Sequence, residues 1–184
     1  METTLRCNAK CKHCGSRAGE NSKLDDELTT EEIKNALQSI ANKYDASKIL
    51  LNITGGEPLI RQDLFEVMDF ANKLGYHWGM TTNAMLINES NIEKMKKTGM
   101  TTISISLDGL EQSHDEFRGV KGSYSKIIEN IKKFKEANFL NYLQITTVVN
   151  KLNIKELKNV WQNERTSNWF MANRKYGSYR KSRR

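Results

Sequence analysis

From Lys48 onward, short apolar runs alternate with longer segments whose apolar positions recur at helical spacing. KILLNI (48–53) is a compact apolar run closed by TGGEP and reads as a buried strand. RQDLFEVMDFANKLG (61–75) sets Leu64, Phe65, Met68, Phe70 and Ala71 near one helical face and ends on glycine. YHWGMTT (76–82) is the next strand, and NESNIEKMKKTG (88–99) the next helix. TTISISL (101–107) is β-branched and alternating, whereas GSYSKIIENIKKFKEANF (122–139) is an amphipathic helix. YLQITTVVN (142–150) is a strand, and NIKELKNVWQN (153–163) begins one more helix. Upstream, TLR (4–6) is expected to end a first strand. LTTEEIKNALQSIANKY (28–44) follows as a helix, with Thr29 or Thr30 as N-cap and acids in its first turn.

Five β-α units in a row specify a parallel sheet with helices outside it, either open or closed into a barrel. In both forms reactive ligands gather at the carboxyl ends of the strands. The segment CNAKCKHC (7–14) follows the first expected strand and TGGEP follows the second, so both fall at that end.

Composition adds little to the fold but narrows the setting. With 38% hydrophobic residues and one proline, the 184-residue chain has enough apolar material for the core of one domain. No apolar run approaches the roughly 18 residues of a membrane span, and the first residues lack a signal-peptide pattern. No membrane association is expected, and the expected compartment is the cytoplasm. The net charge of +7 is uneven: seven of the 29 basic residues and none of the 22 acidic ones lie in residues 165–184. Such a basic tail suits an acidic partner or a solvated end. It carries no nucleic-acid reading module, so no nucleic-acid partner is expected.

All three cysteines, Cys7, Cys11 and Cys14, fall within eight residues. An odd, clustered set suits a metal site better than a disulfide framework. Structural zinc wants four ligands, and His13, flanked by Lys12 and Cys14, is awkwardly placed as the fourth. His77 and His114 read as surface or supporting histidines. A four-iron cluster held by three thiolates instead leaves one iron open to an outside ligand.

CNAKCKHC resembles the cluster loop of radical S-adenosylmethionine (SAM) enzymes. TGGEPL (54–59) is similar to their GGEP turn, TTNAMLI (81–87) to their TNG turn with Ala84 in place of glycine, and ISISLDG (103–109) with HDEFRG (114–119) to a pattern of the peptide-modifying branch. The resemblance implies an α/β fold, a partial (β/α)6 TIM-like barrel over residues 1–160. It implies a 4Fe-4S cluster on Cys7, Cys11 and Cys14, with SAM on the open iron. The cofactor contacts it implies are Gly55, Gly56, Glu57, Pro58, Thr82, Asn83, Ser106, Asp108 and Arg118. Glu57 is expected to meet the methionyl ammonium, and Arg118 either SAM's carboxylate or Asp115. The implied chemistry is cleavage of SAM to a 5′-deoxyadenosyl radical that modifies a peptide substrate, with an electron donor as partner. Enzymes of organic-cofactor biosynthesis share the same core and are the second reading; a non-catalytic metal- or nucleic-acid-binding remnant is the third. ETTLRCNAKCKHCGSRAG points to peptide maturases with a cysteine-rich SPASM domain. No cysteine follows Cys14, so that domain is expected to be absent and the barrel short of a unit. Residues 161–184 fit no sixth unit; a shifted reading frame is one explanation of that tail.

Overall fold

The computed structural model describes residues 1–16, 18–19 and 27–162. Alternation along the strand Met100–Ser106 sets the two faces of its sheet. Ile103 and Ile105 are buried on one face, while Thr102, Ser104 and Ser106 point to the other and stay partly open. This strand is β3 of four: β1 (Leu50–Ile53), β2 (His77–Thr82), β3 and β4 (Tyr142–Thr146), in the order β1-β2-β3-β4. Every neighbouring pair is parallel. The register keeps the faces aligned, with Ile53 beside Met80, Met80 beside Ile103, and Ile103 beside Leu143.

Parallel neighbours need a crossover between them, and helices provide it. The helices are α1 (Thr30–Ala41), α2 (Leu64–Lys73), α3 (Glu89–Lys97), α4 (Glu111–Arg118), α5 (Ser123–Ala137) and α6 (Leu157–Gln162). Their apolar stripes meet the apolar sheet face in one buried cluster, which joins Leu64, Met68, Met95, Ile131 and Phe134 to Trp78, Met80 and Ile105. The N-cap of α1 is Thr29, in a reciprocal capping box with Glu32. Among the described residues this is an α/β partial barrel of the expected class.

Two expectations change. TLR is not the end of a strand. The first residues make a single parallel bridge, Glu2 with Thr54, and then turn where the Arg6 N–H bonds Thr4 Oγ1 at 3.0 Å. HDEFRG, read only as a motif, lies mostly within a helix, α4, which closes at Gly119 in the left-handed conformation (φ 69°). The basic tail lies outside the described residues. Among those described, no helix is long and apolar enough to cross a membrane.

Ile105 is fully buried at the centre of the apolar face. Ile105→Ala is expected to cost about 3 kcal/mol of stability, read from the shift of the urea midpoint.

Candidate active site

The cleft forms where the sheet's carboxyl edge meets the loop of residues 7–16. Its volume is about 190 Å3, and it is lined by Cys7, Cys11, Cys14, Gly55, Gly56, Thr82, Asn83, Ser106 and Arg118, together with His13, Ser16, Thr54 and Thr81. Nine of the twelve residues singled out from the sequence therefore face one space. Glu57, Pro58 and Asp108 do not; they are buried behind it. Thr81 was missed, although the alternation of β2 turns it away from Met80 and towards the cleft.

A backbone seam brings the two glycines to the loop. Gly56 N donates to the Thr4 carbonyl at 2.7 Å and Glu57 N to the Arg6 carbonyl at 2.9 Å. The approach leaves no room for side chains. A Cβ on Gly55 would stand 2.2 Å from the Thr4 carbonyl oxygen, and one on Gly56 would stand 2.2 Å from that of Arg6.

Glu57 stands beneath this turn as a brace. Its Oε1 accepts from Thr82 Oγ1 at 2.8 Å and from the Leu59 N–H at 3.3 Å, and its Oε2 accepts from the Asn83 N–H at 2.8 Å. These bonds tie the GGEP turn to the end of β2. Burial pushes the Glu57 pKa up to about 7, against the pull of those donors. Asn83, held at its backbone by Glu57, directs Nδ2 to Asn8 Oδ1 at 2.8 Å. Ala84 follows with a positive φ of 58°, the conformation for which a glycine is the usual choice.

The last turn of α4 grips the cysteine loop from the other side. Lys10 N donates to the Arg118 carbonyl at 3.1 Å and Lys12 N to the Phe117 carbonyl at 2.9 Å, which satisfies carbonyls left open at the helix end. The His13 ring stacks on Phe117 at 4.4 Å, so the histidine is engaged in packing. Arg118 Nη1 lies 3.5 Å from Cys11 Sγ, and its Nε pairs with Asp108 Oδ2 at 2.6 Å. The arginine does not bridge to Asp115, whose carboxylate accepts instead from Ser123 Oγ and the Tyr124 N–H, each at 2.8 Å. His114 is buried, and its Nδ1 accepts the Asp108 N–H at 3.0 Å; burial lowers its pKa to about 4.

None of the three cysteines is in a disulfide, and all are partly accessible. Burial raises the Cys7 thiol above its ordinary value. Among the described residues, no three His, Cys, Asp or Glu side chains converge tightly enough for a single metal ion. Thiolates of an iron–sulfur cluster each take a different iron and stand farther apart, so this donor set fits a cluster better than zinc.

Three thiols, a glycine turn and an arginine on one cleft, at the carboxyl edge of a parallel partial barrel, define a cluster- and cofactor-binding α/β protein. The chain belongs to the Radical SAM superfamily, whose sequence profile matches residues 1–161. Membership implies a 4Fe-4S cluster and SAM as cofactors. The chain is 33% identical over 162 residues to an AdoMet-dependent heme synthase of Methanosarcina barkeri, covering 88% of this chain and 45% of the relative. It is 28% identical over 163 residues to the PqqA peptide cyclase of Bradyrhizobium diazoefficiens, covering 88% and 41%. The fold matches Streptococcus suis SuiB bound to S-adenosylmethionine with a TM-score of 0.70 and 22% identity, over 86% of this chain and 35% of that one. SuiB bound to its precursor peptide SuiA matches with a TM-score of 0.68 and 21% identity, over 95% and 41%. The chain spans less than half the length of these relatives.

Gly56→Ala is expected to force the GGEP turn off the loop and abolish cluster uptake while leaving far-ultraviolet circular dichroism near that of the parent. Glu57 also makes stability depend on pH. Its folded pKa of about 7 exceeds the unfolded carboxyl value of 4.5, so its contribution is full below 4.5 and lost as pH rises towards 7. His114, lowered from 6.5 to about 4, works in the opposite direction over most of that window. Glu57→Gln is therefore expected to unmask a rise in stability from pH 4 to 6.5. The difference between parent and variant should change by on the order of 3 kcal/mol across the Glu57 window, as measured by urea unfolding at a series of pH values.

Proposed function

We propose that this chain carries the cofactor-binding core of a radical SAM enzyme that modifies a peptide. The observation that carries the reading is the convergence of Cys7, Cys11 and Cys14 with Gly55, Gly56, Ser106 and Arg118 on one cleft. Cys7, Cys11 and Cys14 hold the cluster. Gly55 and Gly56 let backbone stand close to the bound cofactor. Ser106 and Arg118 offer an O–H and N–H groups to SAM's carboxylate. Thr82 and Asn83 form the wall, and Glu57, Pro58 and Asp108 act from behind it. Cluster and SAM together supply reductive cleavage of SAM to methionine and a 5′-deoxyadenosyl radical, given an electron donor.

Peptide as the substrate class is supported by the PqqA peptide cyclase among the relatives and by the precursor peptide on SuiB. A second reading, tetrapyrrole chemistry in organic-cofactor biosynthesis, is favoured by the 33% identity to the heme synthase.

The test is anaerobic reconstitution with iron and sulfide, read by absorption and by electron paramagnetic resonance with and without SAM. A cluster signal that changes on adding SAM, and is lost in Cys11→Ala, is expected. With dithionite the loaded chain should then release 5′-deoxyadenosine. Stoichiometric zinc in place of a cluster would overturn the reading.

A further inference from the structure

Asp108 is a fully buried carboxylate that does not face the cleft. Its Oδ1 accepts the Val148 N–H at 2.8 Å, and its Oδ2 pairs with Arg118 Nε at 2.6 Å. Beyond that anchor, Arg118 Nη1 reaches 3.5 Å from Cys11 Sγ. The guanidinium is planar and rigid, so a fixed Nε also fixes the directions of both terminal nitrogens. The anchor itself is held. Asn153 Nδ2 donates to the Asp108 carbonyl at 2.6 Å and to that of Val148 at 2.8 Å, and the Asp108 N–H is taken by His114.

We infer that Asp108 is a positioning residue: it holds Arg118 so that one guanidinium N–H lies against the Cys11 sulfur and makes the cluster bound there easier to reduce. The inference rests on the cluster reading above. Reduction adds negative charge to a cluster, and donors or cations at its sulfurs stabilise that charge. Asp108 is itself an anion, and its field alone acts in the opposite sense. Placement and field therefore predict opposite shifts when the carboxylate is removed.

The experiment is an anaerobic redox titration of the reconstituted full chain, followed by electron paramagnetic resonance of the reduced cluster. Asp108→Asn keeps an oxygen for Val148 but removes the charge that holds Arg118. The midpoint potential is expected to become more negative, in the same direction as in Arg118→Gln. The double variant should add nothing to Arg118→Gln alone, because both changes remove one contact. Asp108→Glu, which restores a carboxylate, should recover part of the shift. A midpoint that stays put or rises in Asp108→Asn, or shifts that add in the double variant, would overturn the inference. If Asp108→Asn does not load, Asp108→Glu carries the same test: a midpoint between those of the parent and Arg118→Gln supports the inference, and one at or above the parent's defeats it. A parent chain that takes up no cluster would overturn the proposed function itself, and so is distinct from these outcomes.

Discussion

Two stretches of backbone lie side by side at the site with no side chain between them, and that contact sets the geometry of the rest. The seam runs from Thr3 N on the Thr54 carbonyl at 2.9 Å to Glu57 N on the Arg6 carbonyl at the same distance. Only glycine at positions 55 and 56 allows the approach. The seam makes the cysteine loop an extension of the sheet rather than a free excursion from it. Cys7 follows directly on the last bonded residue, Arg6, and so inherits its position from β1.

Around that seam the polar groups are layered. The glycines, cysteines and Ser106 that face the cleft are partly open, while Glu57 and Asp108 beneath them are fully buried. Glu57 accepts three hydrogen bonds without facing the cleft, and Asp108 accepts one and forms an ion pair. Placing an acid beneath a turn costs desolvation, visible in the raised Glu57 pKa. In return, the TNA turn and the GGEP turn are held by the same carboxylate and keep a fixed spacing.

The elements legible in the sequence were those in which one kind of pattern dominates. Ile103 and Ile105 alternate with Ser104 and Ser106, and Ile127, Ile131 and Phe134 recur at helical spacing. α4 escaped because its buried residues, His114, Phe117 and Arg118, have helical spacing but are mostly polar. An apolar-periodicity reading does not register such a stripe, since its burial depends on partners from distant segments. TLR failed as the end of a strand for the converse reason: its composition suits extended chain, but Thr4 Oγ1 captures the Arg6 N–H, and after one regular bridge the pairing continues only as the irregular seam. The motifs located the cleft, since all four reach the same edge of the sheet. They did not separate Gly55, Gly56 and Arg118 at its surface from Glu57, Pro58 and Asp108 behind it, because depth is a tertiary property.

The grip of α4 on the cysteine loop also bears on the order of assembly. Cys11 and Arg118, its guanidinium partner, are 107 residues apart in the chain. The Lys10 and Lys12 amides likewise wait for carbonyls at the end of α4. Contacts of such long range carry a large loop-closure cost. During synthesis the thiols emerge first, and the helix that shapes their loop follows only after β1, β2 and β3. A nascent chain thus displays three thiols before the helix that splints their loop has been made.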